Sequence, residues 1–485
     1  MTVASIEPCS PLEFTVLVDP PGELAMGTLV CASREIGHWG NVHFYGVVDE
    51  VDLTEDYLGH VRVTRIEPDV FFPPQPGSTV VPATGRAGEI ALHFDEMKHT
   101  IPAGSLPHQK LNYMLNLDFL NGDKGAHVNI AGISGVATKT SYALFLLYSL
   151  FHSASSETSR GIIFNVKGDD LLHLHRRNKL MKLSDQDRYE ELGLPCGPFQ
   201  DVAYYGADGP LWSLREFAER ELVRYFFTEA DHSGALDFAI DRVADVLKEY
   251  AVESPEGELR LGKTRVESLA QLCKIICDSA DDSDSYWFEG AATNTRRAVV
   301  RRLKGMASHV KDLVGPTGCL SFDRQLSVID LHRLSDRAKS FVVGSVLQSL
   351  FAERETTESA MTTYLVLDEL NKYAPRQASG PIRQMLLDVA ERGRSLGIIL
   401  IGAQQTASQV EERVVGNAAV RVVGRLECSE AEDRTYGWLT PALRQRATML
   451  KPGNMLIAQP QVPVPILVRF PFPAWATRRS EAADS

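Results

Sequence analysis

No run of apolar residues reaches the about 20 that a helix needs to cross a bilayer, which argues against a helical membrane protein. Cysteine is sparse: seven residues, an odd number, with no C-x-x-C pair. That usage points away from a disulfide framework and towards reduced thiols in the cytoplasm. The opening MTVASIEPCSPLEF lacks the charged start and apolar core of a secretion signal, which fits the same compartment. Positive charge is in deficit, with 50 Lys and Arg against 63 Asp and Glu and a net charge of −13. A generally basic surface that coats nucleic acid is thereby excluded. A local basic patch is not, because net charge is a sum and binding is local. Internal repeats and long low-complexity tracts are also missing. With 44% hydrophobic and 23% charged residues, the chain is neither disordered nor fibrous.

What is present divides by texture. A length of 485 residues suggests two to four domains at about 150 residues each. Residues 1–105 carry short apolar or alternating runs, such as EFTVLV, VHFYGVVDEVDL and HVRVTRI, punctuated by Gly, Pro and Asp. This spacing predicts a small β-barrel or sandwich. Asp95, Glu96 and His99 are read as solvated surface. Residues 106–174 and 321–450 alternate strands with helices. The strands are HVNIAGI, GIIFNV, LSVIDL, TYLVLD, GIILIGA and AVRVVGRL, rich in Val, Ile and Leu. That pattern predicts an α/β core with a buried parallel sheet. Residues 175–320 interrupt it with helical patterns and read as a helical insertion. Residues 451–485 read as a Pro-rich β arm, with Pro463 and Pro465 suited to an edge, and a disordered tail, TRRSEAADS.

Gly132-Ile-Ser134-Gly135-Val-Ala-Thr138-Lys139-Thr140-Ser141 joins a strand to a helix, the place of a phosphate-binding loop. Lys139 would add charge at the outer phosphates, and Thr140 would ligate Mg²⁺. The loop departs from G-x-x-x-x-G-K-[ST]: Ile133 and Thr138 stand at the two glycine positions. A plain Gly-rich turn with a surface Lys is the alternative. The TYLVLD strand ends in Asp368 and Glu369, as a metal-holding acid and a water-polarising acid require. The next strand ends in Gln404, an amide able to orient water. Lys139, Asp368, Glu369 and Gln404 all fall at strand carboxyl ends, where open α/β sheets bind ligands. Together they predict a nucleoside triphosphate site. Arg392, Arg394 and Arg425 are candidate arginine fingers, Arg394 first, or else helix-end and surface charges.

Arg297, Arg301, Lys304 and Lys311 recur at helical spacing opposite an apolar stripe of Val299, Leu303, Met306, Val310 and Leu313. This basic face, and the cluster HLHRRNKLMK at 173–182, would suit DNA phosphates or simply solvent. Asp278, Asp281, Asp282 and Asp284 lie just upstream. His173 and His175 lack the companions of a metal site, and Cys273 and Cys277 read as core residues.

The order of parts resembles the HerA-like ATPases of the FtsK/HerA superfamily over nearly the whole chain. The resemblance rests on HVNIAGISGVATKTSYALFLL, FNVKGDD, LSVIDLHRL, TYLVLDELNKYAPR, ERGRSLGIILIGAQQTASQV and NAAVRVVGRL. It implies a RecA-like P-loop NTPase core, a homo-hexameric ring and double-stranded DNA in its channel. It further implies ATP and Mg²⁺ held by Gly132, Ser134, Gly135, Thr138, Lys139, Thr140, Ser141 and Asp368. Glu369 and Gln404 would then hydrolyse the nucleotide, with Arg392 or Arg394 acting on a neighbour's. The C-terminal arm would embrace the adjacent subunit. The N-terminal barrel would dock a NurA-type nuclease or a co-encoded defence effector, in DNA repair or antiviral defence. The alternatives are a non-motor ring scaffold that organises an effector, favoured by Ile133 and Thr138, and a protein-substrate remodeller.

Overall fold

The computed structural model describes residues 6–18, 24–53, 57–133, 139–206, 209–227, 234–255, 257–282, 285–356, 361–377 and 380–483. Its centre is an eleven-stranded sheet. The strand order is Val202–Tyr205, Leu326–Asp330, Ser159–Asn165, Thr362–Asp368, Ile398–Gln404, Val128–Ala131, Val420–Val423, Asn454–Gln459, Val462–Arg469, Thr100–Ser105 and Asn112–Asn116. The first seven are parallel and the last four antiparallel. The central strands Ser159–Asn165 and Ile398–Gln404 are buried throughout. Such strands read as continuous Val/Ile/Leu runs because helices cover both faces.

Alternate residues feed two cores. Ile162, Phe164, Leu365, Leu367, Ile398 and Leu400 face one side, with the helices Asp336–Thr356 and Pro381–Arg392. Ile163, Val366, Ile399 and Ile401 face the other, with the helix Lys139–Phe151. Beyond its first turn that helix is apolar nearly all round, because Tyr142 to Phe151 lie inside the second core.

Residues 175–320 do not form one helical unit. Tyr189 and Phe199 belong to the second core, and Val202–Tyr205 extends the large sheet. The helices Gly234–Glu253, Leu269–Asp278 and Thr293–Val310 pack on the opposite face and share the first core. Their segment enters and leaves at one point, where Trp212–Ser213 pairs with Val314–Gly315. The apolar stripe of the last helix is buried as its spacing predicts, and Arg297, Arg301, Lys304 and Lys311 are exposed. The acidic cluster's Asp284 lies outside the described residues.

The N-terminal residues form a six-stranded antiparallel sheet in the order Ile6–Cys9, Glu13–Leu17, Tyr57–Glu67, Gly40–Leu53, Leu29–Ile36 and Val80–Pro82. It wraps its own core of Phe14, Val16, Val30, Phe44, Val48 and Val61. Its two terminal strands do not pair with each other among the described residues. Leu29, Cys31, Tyr45 and Val47 pack into the second core of the large sheet. Thr100–Ser105 pairs with Asn112–Asn116, so the large sheet starts before residue 106.

The C-terminal residues also differ from expectation. Asn454–Gln459 and Val462–Arg469 form a hairpin inside this chain's own sheet, so they are not a free arm. Residues 471–483 are ordered against the second core, where Trp475 is fully buried. No helix among the described residues is long and apolar enough to cross a membrane.

His127 leads into the Val128–Ala131 strand at φ 68°. It is 3% exposed, and its Nδ1 accepts a hydrogen bond from Leu400 N at 2.9 Å. Burial pushes its pKa down from 6.5 to about 4, against the opposing pull of the Ala390 and Val389 backbones. Between those values the unfolded chain binds a proton that the folded one refuses. Its contribution is therefore complete above about pH 6.5 and is lost as pH falls towards about 4, at up to ~1.4 kcal/mol per pH unit. Asn tolerates a positive φ and retains an acceptor. Denaturant titrations at about pH 7 and about pH 5 should show a shallower loss of stability in His127→Asn than in wild type.

Candidate functional site

The carboxyl ends of the parallel strands gather most of the residues singled out in the sequence. Val128–Ala131 leads into Gly132, whose N–H donates to Gln404 O at 3.1 Å, while Ile133 N donates to Arg425 O at 2.8 Å. Ser134, Gly135 and Thr138 lie outside the described residues. Lys139 opens the helix Lys139–Phe151 and is 3% exposed. Thr140 Oγ1 donates to Asp368 Oδ2 at 3.1 Å. Lys139 Nζ stands 3.9 Å from Asp368 Oδ1. Two segments 228 residues apart thus meet at one carboxylate. Ser141 lines the same cavity as Lys139, Thr140 and Asp368.

Asp368 ends its strand with 6% exposure and accepts a hydrogen bond from Glu369 N at Oδ1, 2.9 Å. Glu369 follows at φ 59°, ψ 40°, a left-handed conformation uncommon for a non-glycine residue. Strain of this sort concentrates at functional sites. Lys372 Nζ lies 2.7 Å from Glu369 Oε2, and Lys167 Nζ lies 3.5 Å from Oε1. Burial raises the Glu369 pKa, but hydrogen bonding from Lys372 and the charges of Lys167 and Lys372 outweigh it and bring it below the usual carboxylate value. Burial also lowers the Lys139 pKa, with Lys167 adding to that effect and Asp368 and Glu369 opposing it.

Gln404 stands at the carboxyl end of its central strand but does not line the cavity. It is fully buried, and its Nε2 donates to Asn129 Oδ1 at 2.8 Å. Its Oε1 has no hydrogen-bond partner among the described residues. Arg394 donates to the backbone carbonyls of Gly122 and Asp123 in its own chain. Arg392 is exposed, and its guanidinium has no hydrogen bond or ion pair among the described residues. Arg425 Nε donates to Thr448 O at 3.1 Å. His175 Nδ1 shares a hydrogen bond with Tyr204 Oη at 2.8 Å, away from this site.

Two contributions escaped the sequence reading. Lys167 follows the Ser159–Asn165 strand and reaches Asp368 Oδ2 at 3.2 Å. Its motif, FNVKGDD, stands at a strand carboxyl end, so the rule that located Asp368 applied equally to Lys167. The second is the C-terminal segment. The cavity of about 400 Å³ is closed on one side by Phe472, Pro473, Thr477, Arg478 and Glu481. Arg478 Nε donates to Asp170 Oδ1 at 2.8 Å, tying this wall to the Lys167 turn. A cavity of this size suits a small-molecule ligand. Apolar Leu144, Leu171, Phe472 and Pro473 line it together with the polar Lys139, Thr140, Lys167 and Asp368.

Similarity to known structures supports the same architecture. VirB4 of Thermoanaerobacter pseudethanolicus superposes with a TM-score of 0.51 at 16% identity, covering 77% of this chain and 96% of that one. The chain shares that protein's α/β fold, built on a large and mostly parallel sheet. The bacterial conjugative coupling protein TrwB gives a TM-score of 0.49 at 13% identity, over 77% of this chain and 89% of that one. TrwB in complex with ADP and Mg²⁺ gives 0.49 at 12%, over 80% and 93%. No family model and no curated protein matches the sequence.

Proposed function

We propose that the protein is an ATP-hydrolysing DNA translocase of the HerA type that works as a hexameric ring. The observation that carries this reading is the meeting of Lys139, Thr140, Asp368 and Glu369 at the carboxyl end of one parallel sheet. The residues present fit ATP and Mg²⁺. A threonine hydroxyl and a carboxylate sharing a hydrogen bond are hard oxygen donors of the sort Mg²⁺ takes. Thr140 and Asp368 would hold the ion, and Lys139 the outer phosphates. Bound there, Mg²⁺ neutralises charge developing on the phosphates.

The chain's own groups supply the rest. Glu369 orients the attacking water and accepts its proton. Gln404 steadies the site from Asn129. Of the two arginines proposed to reach a neighbour's nucleotide, the Arg392 guanidinium has no partner among the described residues, whereas Arg394 holds its own Gly122–Asp123 turn. The exposed cations Arg297, Arg301, Lys304 and Lys311 would meet the DNA backbone, giving little sequence preference. The N-terminal sheet would dock a NurA-type nuclease or a defence effector, in repair or antiviral work in the cytoplasm.

The test is ATP hydrolysis by the purified chain with and without duplex DNA over a range of salt, with particle imaging of the same sample. Stimulation by DNA that weakens steeply with salt is expected, on ring-shaped particles. ATP binding without hydrolysis or DNA response would favour the ring scaffold. Hydrolysis with no DNA binding at low salt would favour a protein remodeller.

A further inference from the structure

Asp368 Oδ2 accepts two hydrogen bonds, from Thr140 Oγ1 at 3.1 Å and from Lys167 Nζ at 3.2 Å. The same ammonium lies 3.5 Å from Glu369 Oε1. One lysine therefore bridges both acids, at the carboxylate oxygen that the threonine hydroxyl also addresses. Thr140 and Asp368 are the two groups proposed to hold Mg²⁺, so this ammonium occupies the corner where a divalent charge would be needed. Two cations cannot share it without strong repulsion.

The anchoring of Lys167 suits a side chain that moves while its backbone stays. Asn165 Nδ2 donates to Gly168 O at 2.9 Å and to Asp330 Oδ1 at 2.8 Å, closing the turn that carries Lys167. Gly168 takes φ 50°, which glycine adopts freely. The Lys167 side chain is 40% exposed, whereas that of Lys139 is 3% exposed. Its flexible stem can swing; the buried Lys139 cannot. Lys372 stays on the other oxygen of Glu369, at 2.7 Å, so Glu369 keeps a partner if Lys167 leaves.

We propose that Lys167 is the resident counter-ion of Asp368 and Glu369 in the nucleotide-free site, and that it leaves Asp368 for the phosphates when a divalent cation enters with the nucleotide. This rests on reading the site as one for ATP and Mg²⁺. Lys167 is thereby a positioning residue that sets how much Mg²⁺ the site requires.

The experiment is binding of a fluorescent ATP analogue to the full chain, titrated with Mg²⁺ from chelator-only conditions upward. In Lys167→Met the acids lose their bridging charge but the stem remains. Without Mg²⁺ the variant should bind the analogue several-fold more weakly, because bare carboxylates repel phosphates. The Mg²⁺ concentration at half-effect should fall by about tenfold, since no ammonium has to be moved. Lys167→Arg, which keeps a cation, should restore the wild-type Mg²⁺ requirement. A merely structural role would weaken binding equally at every Mg²⁺ concentration, and that outcome would overturn the proposal. So would an unchanged half-point beside normal wild-type binding, which leaves the function standing. No binding by the wild type at any Mg²⁺ concentration would remove both.

Discussion

Glu369→Gln is expected to lower ATP hydrolysis by about 10²–10⁴-fold while leaving nucleotide binding close to wild type. The change is isosteric. Gln retains an oxygen that can accept from Lys372, and the left-handed backbone at Glu369 is unaffected by the swap. Only the ability to take a proton is lost. The pKa of Glu369 lies below the usual carboxylate value, so the group is ionised across neutral pH. Hydrolysis by the wild type should therefore show no acid limb from this residue near neutrality. A low pKa also makes a weak base, since general base catalysis is best when the pKa lies near the working pH. The lysines that lower it, Lys372 and Lys167, thus weaken Glu369 as a base. Single-turnover hydrolysis measured beside analogue binding separates the two effects. If both fall together, Glu369 acts in binding. If neither changes, another group takes the proton.

The legibility of this site follows from where its information resides. Asp368 and Glu369 stand at the end of a buried strand, and Lys139 and Thr140 open the helix that follows another. Such strands are continuous apolar runs, and their polar terminators stand out against them. Lys167 also ends such a strand, but its partners are carboxylates some 201 residues away, and the sequence does not show which cation meets which acid. Arg394 illustrates the opposite case. It closes a helix and invites a trans-acting role, yet its acceptors are the main-chain carbonyls of Gly122 and Asp123. Backbone acceptors carry no side-chain signature. The strand within residues 175–320 that joins the large sheet is hidden for a similar reason. Val202–Tyr205 is a four-residue strand among helices, and only its pairing with Leu326–Asp330 reveals it. The order of the tail is hidden because polar TRRSEAADS contains no apolar run, while the buried Trp475 stands just before it and the tail's own ties are to Asp170 and to backbone groups of Arg177 and Lys179.

Trp475→Ala is expected to destabilise the fold by about 3–5 kcal/mol, the range for emptying a buried aromatic site. Trp475 is fully buried, with ring centroids 4.9 Å from both Tyr148 and Phe199. Its flanks are held like a strand. Asn178 N donates to Ala474 O at 2.9 Å, Ala476 N to Arg176 O at 2.8 Å and Ala483 N to Arg177 O at 2.9 Å. These bonds bring Thr477, Arg478 and Glu481 to the cavity wall. Removing the indole should therefore loosen the wall as well as the core, and analogue binding should weaken beyond what stability alone explains. Trp212 supplies the control. It is equally buried but lies in the core on the other face of the sheet. Trp212→Ala should cost a similar amount of stability, read by denaturant titration, and leave analogue binding unchanged wherever the variant is folded. Arg478→Ala probes the wall without touching the core, because its side chain is 63% exposed and its ion pair is with Asp170. Weaker binding in Trp475→Ala and Arg478→Ala, but not in Trp212→Ala, would assign the last turn of the chain to the site. Equal losses in the two tryptophan variants, with Arg478→Ala unaffected, would reduce it to packing.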